Sequence, residues 1–166
     1  MKRIFTFTVF VAAISLFVAC GTPPPPAEAP PPPPATVAGQ GDAPVPETPV
    51  EAALLAVYSY HHSGLILTDA TTYTVRRGDY MASIAWNLYG DGYFYPVIML
   101  ASHQIVLDPD RIEPGMELIV PNLETNLNDP SARANIRNFM LEIARIEDAR
   151  GRSATAAGIR ERANAL

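Results

Sequence analysis

Few side chains in this sequence could make or break a covalent bond. The single cysteine, Cys20, cannot build a disulfide framework, a multi-cysteine zinc site or an iron–sulfur cluster, because each needs several thiols. Of the three histidines, His61 and His62 are adjacent, point in different directions and make a poor metal pair. His103 stands near Ile105 in an apolar setting, where a hydrogen-bonded structural role is expected. No nucleophile motif accompanies them. Asp108 and Asp110 are close in sequence but lie in a loop rich in Pro and Gly, where their presence does not by itself indicate hydrolysis. A non-catalytic protein is expected, with no cofactor and no metal. The net charge of −5 argues against a nucleic-acid partner, which would require a basic footprint to displace counterions.

The elements around these residues are clearly punctuated. Thr72-Tyr73-Thr74-Val75-Arg76-Arg77-Gly78-Asp79 alternates as a strand does and ends in a Gly-Asp turn. Met81, Ile84, Ala85 and Leu88, spaced i, i+3, i+4, i+7, predict a helix directly after it, with Asp79 placed to cap the free amides of the first turn. Trp86 in that helix is expected in the core, with the rim as the alternative. Tyr89-Gly90-Asp91-Gly92 breaks the chain. Phe94, Val97, Ile98 and Ala101 then repeat the helical spacing, with Pro96 tolerable only in the first turn. Past the Asp108–Gly115 loop, Met116 to Pro121 reads as a second strand closed by proline. The order is strand, helix, helix, strand.

Residues 73 to 121 resemble a lysin motif (LysM). The match lies in Tyr73-x-Val75-x-x-Gly78-Asp79, Ile84-Ala85, Tyr89-Gly90 and Pro109-Asp110-x-Ile112-x-Pro114-Gly115-x-x-Leu118-x-Val120-Pro121. The resemblance implies a βααβ fold with two antiparallel strands and a shallow groove between the first strand–helix loop and the second helix–strand loop. It implies, as ligand, a glycan containing N-acetylglucosamine, meaning peptidoglycan or another such polymer. Carried over by position, the ligand-binding residues are Gly78, Asp79, Tyr80 and Met81 in the first loop and Pro109, Asp110, Arg111 and Ile112 in the second. An N-acetyl group suits such a groove, since backbone amides and carbonyls can read its amide while a small apolar wall takes its methyl. The family usually has Ser or Thr then Leu where this chain has Tyr80-Met81, and Asn where it has Ser102. Tyr80 is either a stacking face for a sugar ring or a packing residue. Arg76, Arg77 and Arg111 are outnumbered by Asp79, Asp91, Asp108, Asp110, Glu113 and Glu117, so attachment to an acidic wall polymer is not expected to depend on net charge. A rival reading is an adaptor or small-ion sensor, because the same spacer and ending also resemble LysM-type proteins associated with potassium.

At the N-terminus, Met1-Lys2-Arg3 precedes an uncharged run from Ile4 to Ala19, the pattern of an export signal and short for a membrane span of ~20 residues. Phe17-Val18-Ala19-Cys20-Gly21 resembles a bacterial lipobox, with Phe17 where Leu is usual. The alternatives are an ordinary signal peptide and an uncleaved anchor. The lipobox implies removal of residues 1–19, lipidation of Cys20 and an exported, lipid-anchored protein. Gly21 after the cysteine, rather than Asp, favours the outer membrane, on its periplasmic face. Lys2 is the only lysine, so attachment to the membrane falls to the acyl group rather than to a polybasic patch. Residues 20–48 combine the cysteine with a Pro-rich linker. In polyproline II conformation, residues 21–48 would reach roughly 85 Å.

The fold class expected is therefore α+β, a small βααβ module at 72–123 with helical flanks. In the 49–71 element, Thr48, Pro49 and Glu51 form a capping-box start. Val50, Leu54, Val57 and Tyr58 give its helix one apolar stripe, Gly64 a left-handed stop, and Leu65-Ile66-Leu67 a short strand. In the 124–166 extension, Asp129-Pro130 starts an amphipathic helix with Ile136, Phe139, Met140 and Ile143 on one face, and Ser153 caps a last helix weakened by Gly158. Its seven arginines against six acids leave it near neutral, unlike a basic membrane helix. The stripe is expected to pack within the chain, with self-association through the C-terminal helix as the rival.

Overall fold

The computed structural model describes residues 44–166. The residues read from the sequence as an export signal, Cys20 and the expected linker up to residue 43 lie outside the described residues. Thr48 starts α1 (Pro49–His61) with a complete capping box, its Oγ1 accepting from Glu51 N (3.1 Å) and Glu51 Oε2 accepting from Thr48 N (3.0 Å). β1 (Thr71–Thr74) follows, then α2 (Met81–Tyr89), α3 (Tyr95–Ala101) and β2 (Glu117–Val120). Three further helices, α4 (Leu123–Asn128), α5 (Pro130–Ala149) and α6 (Ser153–Ala165), complete the chain. Among the described residues the class is α+β, six helices with one small sheet.

β1 and β2 pair antiparallel, with Tyr73 opposite Leu118 and Thr71 opposite Val120. The pairing continues beyond the strands through Val75 N to Met116 O (2.8 Å) and Gly115 N to Val75 O (2.9 Å). A two-stranded ribbon alone is marginal in water. Here β2 packs on α3 and buries Leu118 and Val120 in the core, and Ser102 at the end of α3 clamps β2 from the side. Its Oγ accepts from Ile119 N (2.8 Å) and donates to Ile119 O (3.2 Å).

One continuous apolar cluster joins Leu54 and Tyr58 of α1, Ile84 of α2, Ile98 and Leu100 of α3, Leu118, and Ile136, Phe139 and Met140 of α5. The expected stripe on α5 is consumed within the chain, against α1, α3, α4 and α6. Self-association would have to use another surface. Module and flanks thus share one core, which enlarges what some 50 residues could bury alone.

Three local expectations are corrected. Leu65-Ile66-Leu67 forms no strand, because Ile66 pairs with a side chain instead of a neighbouring strand. Buried Asn126 of α4 accepts from Ile66 N (2.9 Å) and donates to Ile66 O (2.8 Å). Gly64 ends a 3-10 turn (His62–Gly64) without a left-handed φ. It is needed because the Asn135 carboxamide fills the space of a Cβ. Ser153 is the first residue of α6 rather than its cap, which is Arg152. Asn135 also joins α1 to α5, donating to His61 O (2.8 Å) while its Oδ1 meets His61 Nδ1 (2.8 Å).

Candidate functional site

The first loop is built around Asp79. Its carboxylate accepts from Tyr73 Oη (2.8 Å) and Arg76 N (2.8 Å), which holds the acid below its usual pKa, the backbone amide being the larger cause. Asp79 therefore ties the turn back to β1 and does not cap α2. The N-cap is Tyr80, whose N–H donates to Ser83 Oγ (3.1 Å) while that hydroxyl donates to Tyr80 O (2.7 Å). Gly78 reverses the chain at φ +92°, a conformation a side chain would strain.

The second loop turns on Asp108, which accepts from Asp110 N (3.0 Å) at the start of a 3-10 turn, Pro109–Arg111. Asp108 also receives Arg150 Nη2 at 3.1 and 2.9 Å. Arg150 Nη2 reaches Asp110 as well (2.9 Å), and Arg152 is paired with Asp110. The α5–α6 turn, which a sequence reading of the module alone would not include, is thereby fastened over the second loop. Beneath it Glu147 is buried, 3.3 Å from Arg150 and 3.4 Å from Arg152. Burial raises its carboxyl pKa, with the two arginines opposing. Glu147 falls four residues after Ile143, on the buried stripe, so an acid facing inward was legible in the spacing.

The two loops do meet. Tyr80, Met81, Pro109 and Asp110 line one cleft of about 160 Å³ together with Tyr95, Arg152 and Thr155. Gly78 and Asp79 shape the first loop without lining that cleft. Arg111 and Ile112, also expected from the sequence to face a ligand, do not line this cleft but a separate one, where Arg111 pairs with Glu47 (2.9 Å) and Glu51 (2.9 Å) at the start of α1.

Trp86 is 63% exposed, which overturns the core expectation. At 100° per residue it lies about 150° around α2 from the centre of the Met81–Ile84–Ala85 stripe, so its position was readable from the helix geometry. Leu88, on the stripe, is 42% exposed at the rim of a separate cavity bordered by Thr71 and Leu127. His103 is a structural histidine, Nδ1 bonding Leu100 O (3.0 Å) and its ring packing on His62 (4.5 Å), with burial lowering its pKa.

The chain matches no family model, no curated protein and no solved structure. Among the described residues no helix is long and apolar enough to cross a membrane.

Proposed function

We propose that this is a LysM-type lipoprotein that binds an N-acetylglucosamine-containing glycan of the cell wall without catalysis, tethered to the outer membrane through lipid on Cys20. The observation that supports it most is the convergence of Tyr80-Met81 and Pro109-Asp110, from opposite ends of a strand–helix–helix–strand unit, on one cleft. Met81 and Pro109 would give the acetamido methyl a small apolar wall, with the polar side chains of Tyr80 and Asp110 beside it. The cleft's acid is already paired with Arg150 and Arg152, so recognition would rest on shape and hydrogen bonds rather than on charge.

The test is co-sedimentation of the full-length protein, expressed in a Gram-negative host and purified in detergent, with isolated peptidoglycan. Binding should persist from low to physiological salt; binding abolished by that salt would mean nonspecific charge attraction. In the same host the protein should incorporate labelled palmitate, and Cys20→Ala should abolish labelling and release it from membranes. Labelling that survives the substitution would remove the lipobox from the account.

A further inference from the structure

Beside the loop cleft, and sharing Tyr80, Ala82, Tyr95 and Thr155 with it, lies a larger cleft of about 520 Å³ between α2, the Gly92–Phe94 turn and α6. Ligand pockets commonly hold roughly 300–1,000 Å³, a range this cleft meets and the loop cleft does not. Its walls carry three exposed aromatic side chains: Tyr80 and Trp86, each 63% exposed, and Tyr93 at 39%. Leaving such rings in water forgoes the burial energy they would otherwise contribute, and a patch of this kind marks a recognition surface.

The rings are held in place. Gly92 lets its turn approach α2 so closely that a Cβ would stand 3.0 Å from Ala82 O. Tyr93 rests against α6 where Gly158 has no side chain; a Cβ there would collide with the ring. That contact gives the mid-helix glycine a purpose. Asp91 accepts from Tyr93 N (2.9 Å) and pairs with Arg162, bracing the cleft between α6 and the turn.

We infer that this cleft is a second sugar subsite, which takes the next rings of a linear glycan as it runs out of the loop cleft past Tyr80; the inference rests on the glycan-binding reading. Pyranose rings present C–H faces suited to aromatic rings, and hydroxyls that both donate and accept. Asn87, Asp91 and Arg162 line the same cleft and match those hydroxyls. The chain's own proline runs at 23–26 and 30–34 are the competing occupant for an aromatic groove. Proline has no N–H to offer Asp91 or the Asn87 carbonyl, so a hydroxyl-bearing ligand fits the polar set better.

Trp86 is the only tryptophan, so its fluorescence reports this cleft alone. The full-length protein in detergent would be titrated with a β-1,4-linked N-acetylglucosamine hexamer. Trp86 emission should shift to the blue and become protected from acrylamide. Tyr93→Ala should weaken that response, and Trp86→Ala should weaken sedimentation with peptidoglycan, each by about tenfold, the fold-change of one stacked ring. Gly158→Ala, which displaces Tyr93 without removing it, should weaken binding in the same direction. Hexamer binding with Trp86 unprotected and the variants unchanged would overturn the second subsite while leaving the loop cleft intact. No hexamer or peptidoglycan binding at all would overturn both. A response of Trp86 to a synthetic peptide of residues 22–34 but not to the hexamer would assign the cleft to the proline runs and overturn the subsite.

Discussion

The middle of α5 and its C-terminal end meet the rest of the chain by different physics. Along its middle, Ile136, Phe139, Met140 and Ile143 enter the apolar cluster, a contact indifferent to salt and pH. At its C-terminal end, Glu147 and Arg150, with Arg152 just beyond, form a charged seam with Asp108 and Asp110 of the second groove loop. The apolar face determines that the helix docks. The charged seam fastens the second loop, one wall of the candidate site, to the α5–α6 turn. Arg150 and Asp108 are largely desolvated, at 12% and 14% exposure, so removing either would cost more than loss of a surface pair.

The largest effect should come from the apolar side. Phe139→Ala is expected to lower stability by about 3–5 kcal/mol in chemical denaturation. Because the stripe is internal, the loss should not depend on protein concentration. A loss that shrinks as concentration rises would place the stripe in a dimer instead.

Asn126→Ala tests a polar contact of intermediate size. It leaves Ile66 N–H and C=O without their partner and should cost about 1–3 kcal/mol. A neutral outcome would mean that water replaces Asn126 and that the 65–67 segment is not anchored by it.

The smallest effect belongs to the seam. Burial raises the Glu147 pKa above its ordinary value of 4.5, so its protonated form is favoured in the folded state. The stabilisation tied to protonation is complete below the unfolded value and is lost as pH rises through the folded one. Glu147→Gln lacks this dependence. The stability of wild type relative to Glu147→Gln should therefore increase as pH falls from 7 toward 4.5, in thermal melts of both. A difference that is flat over that window would show that the arginines fully offset the burial.

What was legible in the sequence is what is local. The Thr48–Glu51 box, the Asp129-Pro130 start and the order of β1, α2, α3 and β2 follow from residues within one turn of each other. What was not legible depends on distant partners. Leu65–Leu67 has the composition of a strand, but its partner is a side chain 60 residues on. Asp79 has the composition of a cap, but Tyr73 and Arg76 N compete for its carboxylate. Within the site, the resemblance singled out the two loops, but the ion pairs of Arg150 and Arg152 with the second loop were not legible, since nothing in residues 73–121 refers to the α5–α6 turn. Trp86 was readable by angle and misassigned by residue type, because a tryptophan invites burial whichever face it occupies.

The central claim, a saccharide held between the two loops, is tested most directly by mapping amide chemical shifts of the isotope-labelled full-length protein as the N-acetylglucosamine hexamer is added. The largest changes should fall on Tyr80, Met81 and Asp110 and their sequence neighbours, at physiological salt. Unchanged resonances there at saturating hexamer, or changes confined to the cavity around Thr71, Asn122 and Leu127, would contradict it.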